Sequence, residues 1–288
     1  MQKLKLACTR FKGARGKAVQ FILDHPEIAG FLSIRPLAEK IGISTSSLSR
    51  MAVDVGYSGF QEMQKDVQEF LRRKLLPTVR MEQAVPERGR FSFRDSLRKD
   101  MKSIEHILGD VTDQQFDRAV SLLLESREVF VVGLGTQYPS AVYFTGIMKQ
   151  IRERVSLISQ ESMEYLDCFS RFSSRDVLVS ICLPRYAVFT FRTAKEAAEA
   201  GCRVIALTDN ILSPTAGLAD VVLQVEYESM SFFNSNVAVM ALLNGLATTV
   251  ALNRRDAVLE RVRKFSDIAS RWNIFHSGKS EESTGDGQ

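Results

Sequence analysis

The sequence predicts two domains: an all-α helix-turn-helix module at residues 1–80 and an α/β doubly wound domain, flavodoxin-like, with a parallel five-stranded sheet at residues 96–275. Three observations carry this division. Residues 34–60 read as two short amphipathic helices broken at Gly42. Between residues 129 and 226, five apolar runs alternate with helical stretches. The basic excess lies wholly at the front: residues 1–80 hold 14 Lys and Arg against 7 Asp and Glu, whereas the remainder is acidic on balance. With 288 residues, 45% of them hydrophobic, the chain has material for one small core and one full-sized core.

Taken in order, residues 17–25 form a first helix that Pro26 ends. Ser33 is placed to cap a helix whose Leu37, Ala38 and Ile41 share a buried face. Gly42 supplies the corner, Ile43 returns to the core, and Ser44 caps the next helix. There Leu48, Met51, Ala52 and Val55 make one buried stripe, leaving Thr45, Ser46, Ser47, Ser49 and Arg50 toward the outer or N-terminal surface. Hydroxyls and an arginine at the start of a second helix suit base edges in a major groove, which marks double-stranded DNA as the partner. Taken alone, the same spacing also fits a serine-rich surface helix in an ordinary helical hairpin. Lys3, Lys5, Arg10, Lys12, Arg15 and Lys17, which precede or open the first helix, are the expected companions, reaching phosphates, with Arg15 and Lys17 assigned to the DNA contact.

A longer mixed-charge helix at residues 58–75 completes the module. Residues 77–95 contain Pro77, Pro86 and Gly89 without periodicity and read as the hinge, with the connector proper at 81–95. Two helical stripes follow: Leu97, Met101, Ile104, Ile107 and Leu108, then Phe116, Val120, Leu123 and Leu124. The five runs 129–135, 154–158, 176–183, 202–208 and 220–226 are the strands of a sheet covered on both faces. A last apolar helix, Ala238 to Leu252, is predicted to be buried against the sheet or a partner subunit, and the tail 276–288 to be disordered.

The four cysteines, Cys8, Cys168, Cys182 and Cys202, are far apart and show no metal-ligand spacing, so reduced thiols are expected, with neither metal nor cofactor. No apolar run reaches membrane-spanning length, and the N-terminus lacks a signal core; the expectation is a cytoplasmic protein with no membrane partner.

In a doubly wound sheet, small ligands bind beyond the carboxyl ends of the strands. The first exit, Gly133-Leu134-Gly135-Thr136, is a glycine turn running into a helix whose N-terminal amides suit an anion; the bland alternative is a turn with glycine for close packing. It is no dinucleotide fingerprint, because Pro139 stands near where a third glycine belongs and no acidic residue ends the second strand.

These features together resemble the RpiR family of bacterial transcription regulators, in which a helix-turn-helix precedes a sugar isomerase (SIS) domain that binds phosphosugars. The resemblance spans roughly residues 5–272. It rests on LAEKIGISTSSLSR and GYSGFQEM at the front, and on FVVGLGT, DVLVSI, AGCRVIALTD and Ser213–Asp220 in the sheet domain. It implies an effector-responsive repressor or activator of carbon-metabolism genes, assembled as a homodimer or homotetramer through the SIS domain.

The chain departs from the family at the phosphate cradle. Gln137 occupies the place of the serine that usually follows the glycine turn, and the third exit reads Cys182-Leu183-Pro184-Arg185-Tyr186-Ala187 instead of Ser-x-Ser-Gly-x-Thr. Arg185 offers a planar fork for carboxylate or phosphate, and Tyr186 a flat face with a polar tip. The expected effector is a small anionic metabolite, a sugar acid as readily as a sugar phosphate, held by Gly133, Gly135, Thr136, Gln137, Cys182, Arg185 and Tyr186. A subunit-interface role for Arg185 and Tyr186 is the alternative. No catalytic residue is assigned: His25, His106 and His276 all fall away from the strand exits, and Glu161 and Glu164 read as surface carboxylates opening a helix. An isomerase, and a DNA-binding protein whose sheet domain only assembles, are the competing classes.

Overall fold

The computed structural model describes residues 1–275 apart from Thr9, Leu75, residues 85–91, Ser162 and Leu212. The front domain is built from α1 (Gln2–Cys8), α2 (Gly13–Asp24), α3 (Pro26–Phe31), α4 (Ile34–Ile41), α5 (Thr45–Asp54), α6 (Phe60–Lys74) and α7 (Pro77–Gln83). Leu4, Val19, Ile22, Leu37, Leu48, Met51 and Met63 are wholly buried together, a core drawn from five of these helices. The corner between α4 and α5 has Gly42 at φ +78°, the left-handed region that glycine enters without penalty.

Several local expectations change. The helix expected at 17–25 starts at Gly13 and is preceded by α1, so Lys3 and Lys5 sit on a helix. Pro26 begins α3 as well as ending α2, because proline's missing N–H costs nothing in a first helical turn. Ser33 occupies the N-cap of α4 with extended backbone, but its side chain makes no capping bond. Part of the expected connector is helical, as α7 and the start of α8 (Phe93–Asp110).

The second domain continues with α9 (Asp113–Glu125), β1 (Val129–Gly133), α10 (Tyr138–Ile151), β2 (Val155–Ile158), α11 (Glu164–Arg171), β3 (Val177–Ile181), α12 (Val188–Glu199), β4 (Arg203–Thr208), β5 (Val221–Gln224), α13 (Val237–Asn253) and α14 (Arg255–Arg271). The sheet is five-stranded and parallel, in the order β2-β1-β3-β4-β5. Period-two alternation divides its side chains between two covers. Val129, Val131, Val177, Val179, Ile205 and Leu207 face α9, α10 and α13. Phe130, Val132, Leu178 and Val204 face the opposite way, against Cys168, Phe172, Ala194 and Ala197 of the α11–α12 side.

The stripe expected on α8 splits in two: Ile104 and Ile107 pack on the core, while Leu97, Met101 and Leu108 are exposed. The apolar helix after the sheet is buried as α13 through Val239, Leu243, Leu246 and Val250. It is not the last helix, because α14 follows after a sharp bend and buries no residue. Residues 276–288, including His276, lie outside the described residues.

Candidate functional site

The N-terminal end of α5 is organised by Ser44, whose hydroxyl accepts the backbone N–H of Ser47 at 3.1 Å and lies 2.9 and 2.8 Å from the hydroxyls of Ser46 and Ser47. Ser44 is therefore spent on capping. Thr45, Ser46 and Arg50 are exposed, and Ser47 and Ser49 are half-buried. Arg50 makes no ion pair or hydrogen bond among the described residues, while Arg15 of α2 pairs with Asp54 of α5 at 2.9 Å. Lys17 is exposed on α2.

At the other end of the chain, the strand order reverses direction between β1 and β3, and a crevice opens there in a doubly wound sheet. The exits of those two strands carry every residue expected to hold the effector. A Cβ on Gly133 would stand 2.9 Å from the carbonyl oxygen of Gln137, so only glycine lets the turn fold back so tightly. Gly135 has φ +64°. Gln137 is buried, donates to the Thr136 hydroxyl at 3.2 Å and leaves its own amide oxygen without a partner. Across the crevice, Arg185 and Tyr186 both have positive φ, +78° and +25°, a strained turn for side chains of this size. Arg185 is exposed and has no partner among the described residues.

Cys182 is the residue that the structure withdraws from this group. It is 2% exposed, its thiol is pushed up to about 12 by burial, and its carbonyl accepts the Thr208 hydroxyl at 2.8 Å. A thiol so placed packs; it does not reach a ligand.

Three residues not expected from sequence complete the site. Tyr186 donates its hydroxyl to the carboxylate of Asp209, at 3.0 and 3.2 Å to the two oxygens. Asn236, at the N-cap of α13, donates to the Thr136 carbonyl at 2.5 Å and has an unpartnered amide oxygen. Asn234 donates to the Pro184 carbonyl at 3.3 Å. The loop before α13 thus touches both exits. Asp209 directly follows β4, and a carboxylate at a strand exit was the one signal available for it.

Burial raises the Asp209 carboxyl to about 6, against the opposing pull of the Tyr186 hydroxyl. The folded protein holds this proton more tightly than the unfolded chain does. The stability that it contributes is full below the ordinary carboxylate pKa and is lost as pH rises through about 6. Urea unfolding of wild type and Asp209→Asn is expected to show the wild type losing about 2–3 kcal/mol relative to the variant between about pH 4 and about pH 8. A difference independent of pH would remove the carboxylate as the cause.

His106 stands differently from its expected place. Its Nδ1 contacts Glu226, two residues past the end of β5, so it does lie beside a strand exit, although at the sheet edge, two strands from β3. Glu161 and Glu164 are exposed beyond β2 at the other edge. Among the described residues, no three His, Cys, Asp or Glu are grouped to hold a metal ion, and no single helix is long and apolar enough to cross a membrane.

A helix-turn-helix module joined to a doubly wound domain with a lined crevice at its topological switch point defines a two-domain, DNA-binding regulator. A helix-turn-helix domain model of the rpiR family matches residues 2–74, and a SIS domain model matches residues 122–249. The chain belongs to the RpiR family of transcriptional regulators. It is 22% identical to an HTH-type transcriptional regulator of Haemophilus influenzae over 72% of this chain and 73% of that one. A regulator from Providencia stuartii is 23% identical over 80% and 81% of the two chains. Among solved structures, the sugar isomerase domain of an RpiR transcription factor from Sphaerobacter thermophilus superposes with a TM-score of 0.58 at 22% identity, covering 60% of this chain and 97% of that one. The NanR protein of Vibrio vulnificus, complexed with ManNAc-6P, superposes at 0.63 and 16% identity, covering 94% and 98%. At these identities, both structures establish the fold.

Proposed function

We propose that the SIS domain senses a small anionic metabolite, a sugar phosphate or sugar acid, at the exits of β1 and β3, and that occupancy changes DNA binding by the α4–α5 module. The observation that carries this reading is the unpaired, exposed Arg185 on a strained turn at the β3 exit, next to the β1 exit, where the buried amide oxygens of Gln137 and Asn236 lack partners. Buried polar atoms without partners are rare in folded proteins, and a ligand's hydroxyls would satisfy them. The sugar phosphate bound by the structurally similar NanR protein supports the same class of ligand.

A path for coupling exists in contacts between the halves. Arg80 of α7 donates to the side-chain oxygen of Asn234 at 2.7 Å and to the Phe233 carbonyl at 2.8 Å. Asn234 in turn holds Pro184, which adjoins Arg185. A ligand that moves the Arg185 turn therefore displaces a residue gripped by the helix that ends the DNA-binding half. Assembly as a homodimer or homotetramer through the SIS domain would set the spacing of paired modules on operator half-sites. We assign no catalysis: turnover of an aldose or ketose phosphate needs a base free to reach the substrate, whereas the Asp209 carboxylate is engaged by the Tyr186 hydroxyl and, among the described residues, the only histidine near an exit sits at the sheet edge.

The test is a thermal-shift screen of the full chain with ManNAc-6P, glucose 6-phosphate and gluconate, followed by operator-binding anisotropy with each ligand that scores. An anion that raises the melting temperature and alters operator affinity supports the sensor. In Arg185→Ala most of the shift is expected to vanish while unliganded stability stays, and Arg185→Lys restores only part, because a point charge does not reproduce a two-pronged contact. A full response in Arg185→Ala, or its dissociation into monomers, would move this residue from the pocket to an interface.

A further inference from the structure

A concentration of positive charge in the sheet domain lies at the end opposite this crevice. A cavity of about 460 Å³ is lined by Arg127, Arg152, Arg154, Arg254, Arg261 and Lys264, with Glu153 and Glu260 as its only acidic residues. Arg127 precedes β1, Arg154 immediately precedes β2, and the remaining cations come from the end of α10, the α13–α14 corner and α14 itself. β1 runs for five residues, roughly 16 Å, so this cavity is separate from the strand exits.

The cations differ in how far they are already used. Arg127 is held bidentately by Asp176 at 2.9 and 2.7 Å. Arg152 is buried and donates to the carbonyls of Leu123, Ser126 and Arg127. These two form the floor. Above them, Arg154 has φ +54° and makes no ion pair among the described residues. Arg254 donates to the Leu124 carbonyl, and Arg261 donates to the Lys149 carbonyl while standing 3.6 Å from an exposed Glu153. Lys264 meets Glu260 on the same helix, with both side chains about 70% exposed, a pairing of little energetic value. Burial and then the neighbouring Arg254 both lower the pKa of Arg152, against a smaller opposing pull from Glu128, so like charges are held together here.

We propose that this cavity is a second anion site, specific for a small ligand carrying two or more phosphate groups, of the diphosphate class. Planar guanidiniums grip phosphate oxygens in pairs, and four incompletely neutralised cations, Arg154, Arg254, Arg261 and Lys264, gathered from three places in the chain match a multiply charged ion better than a single phosphate. The only apolar side chains in the lining are Ile151 and Ala257, which makes charge the main basis of recognition. A bound diphosphate bridges the entrance of β2 to α14, a helix that buries no residue of its own, and so fastens it to the domain. The chain's single tryptophan, Trp272, directly follows α14 and reports on that fastening.

The experiment is titration of the full chain with sodium pyrophosphate at constant ionic strength, read by Trp272 fluorescence and by melting temperature. A saturable response is expected, with orthophosphate binding about tenfold more weakly. The double variant R154A/K264A is expected to melt within about 2 °C of wild type without ligand, since neither side chain supports the fold. Its pyrophosphate affinity should fall by about tenfold or more. The site is overturned by an absent response in wild type, by equal affinity in the double variant, or by a response that potassium chloride reproduces. Displacement of pyrophosphate by non-operator duplex DNA would also overturn it, making the cluster part of the DNA surface. None of these outcomes depends on an effector at the strand exits.

Discussion

Arg50→Ala is expected to weaken operator binding by about 1–3 kcal/mol while leaving the melting temperature of the protein unchanged. The physical basis is its position. Arg50 lies on α5 beyond the buried Leu48, is exposed and has no partner among the described residues, so its guanidinium supports nothing in the fold. On an N-terminally capped second helix, such a group reaches either a base edge or a phosphate, and salt dependence separates the two. If Arg50 reads a base, its truncation lowers affinity selectively for the operator. If it holds a phosphate, truncation lowers affinity for all sequences and reduces the salt slope by about one. Fluorescence anisotropy with operator and scrambled duplexes over a salt series reads both. Wild-type affinity and slope would remove α5 as the reading helix. Ser44→Ala supplies the contrast: its hydroxyl caps the helix, so its removal costs about 1 kcal/mol of folding stability.

Asp176→Ala is expected to destabilise the sheet domain by about 3–5 kcal/mol, several times the effect of breaking an exposed ion pair. The Asp176 side chain is fully buried beneath the starts of β1 and β3. It accepts two bonds from Arg127 and one from the Ser173 hydroxyl at 2.6 Å. Burial alone would raise its pKa, yet the Arg127 and Ser173 bonds outweigh it and hold the carboxyl below the usual range. Truncation leaves Arg127 partly buried beside Arg152 and Arg154 with its bidentate carboxylate gone, and an unpaired charge in that position is costly. Glu199→Ala, which breaks the exposed pair with Lys195, is the control and should cost under about 0.5 kcal/mol. Urea unfolding of both variants checks the comparison; equal losses would mean that burial of Asp176 contributes nothing to the pair.

The two halves differ in how much their local sequence reveals. The α4–α5 corner and its cap are legible because every device is short-range: Gly42 in the left-handed region, and Ser44 three residues before the N–H that it accepts. The strands are equally legible, since a sheet covered on both faces demands continuous apolar runs, whatever the order of pairing. Gln2–Cys8 is hidden in the sequence because Gln2, Lys3 and Lys5 obscure a buried pair, Leu4 and Ala7, that only packing against α2 explains. The exposed half of the α8 stripe misleads for the converse reason: helical spacing reports which residues share a face, not whether that face is covered.

By itself, the sequence determined the order of the domains, the parallel sheet, the turn chemistry at Gly133 and Gly135, and the Cys182–Ala187 run that follows β3. Only the tertiary structure decided how those residues are buried and paired. It buried Cys182, left Arg185 without a partner among the described residues, and brought Asp209, Asn234 and Asn236 against the two strand exits from up to 100 residues away. The reason is range. Caps, turns and apolar periodicity act over a few residues and are written into adjacent side chains, whereas a parallel sheet gathers its strand exits through long crossovers whose contacts have no local signature.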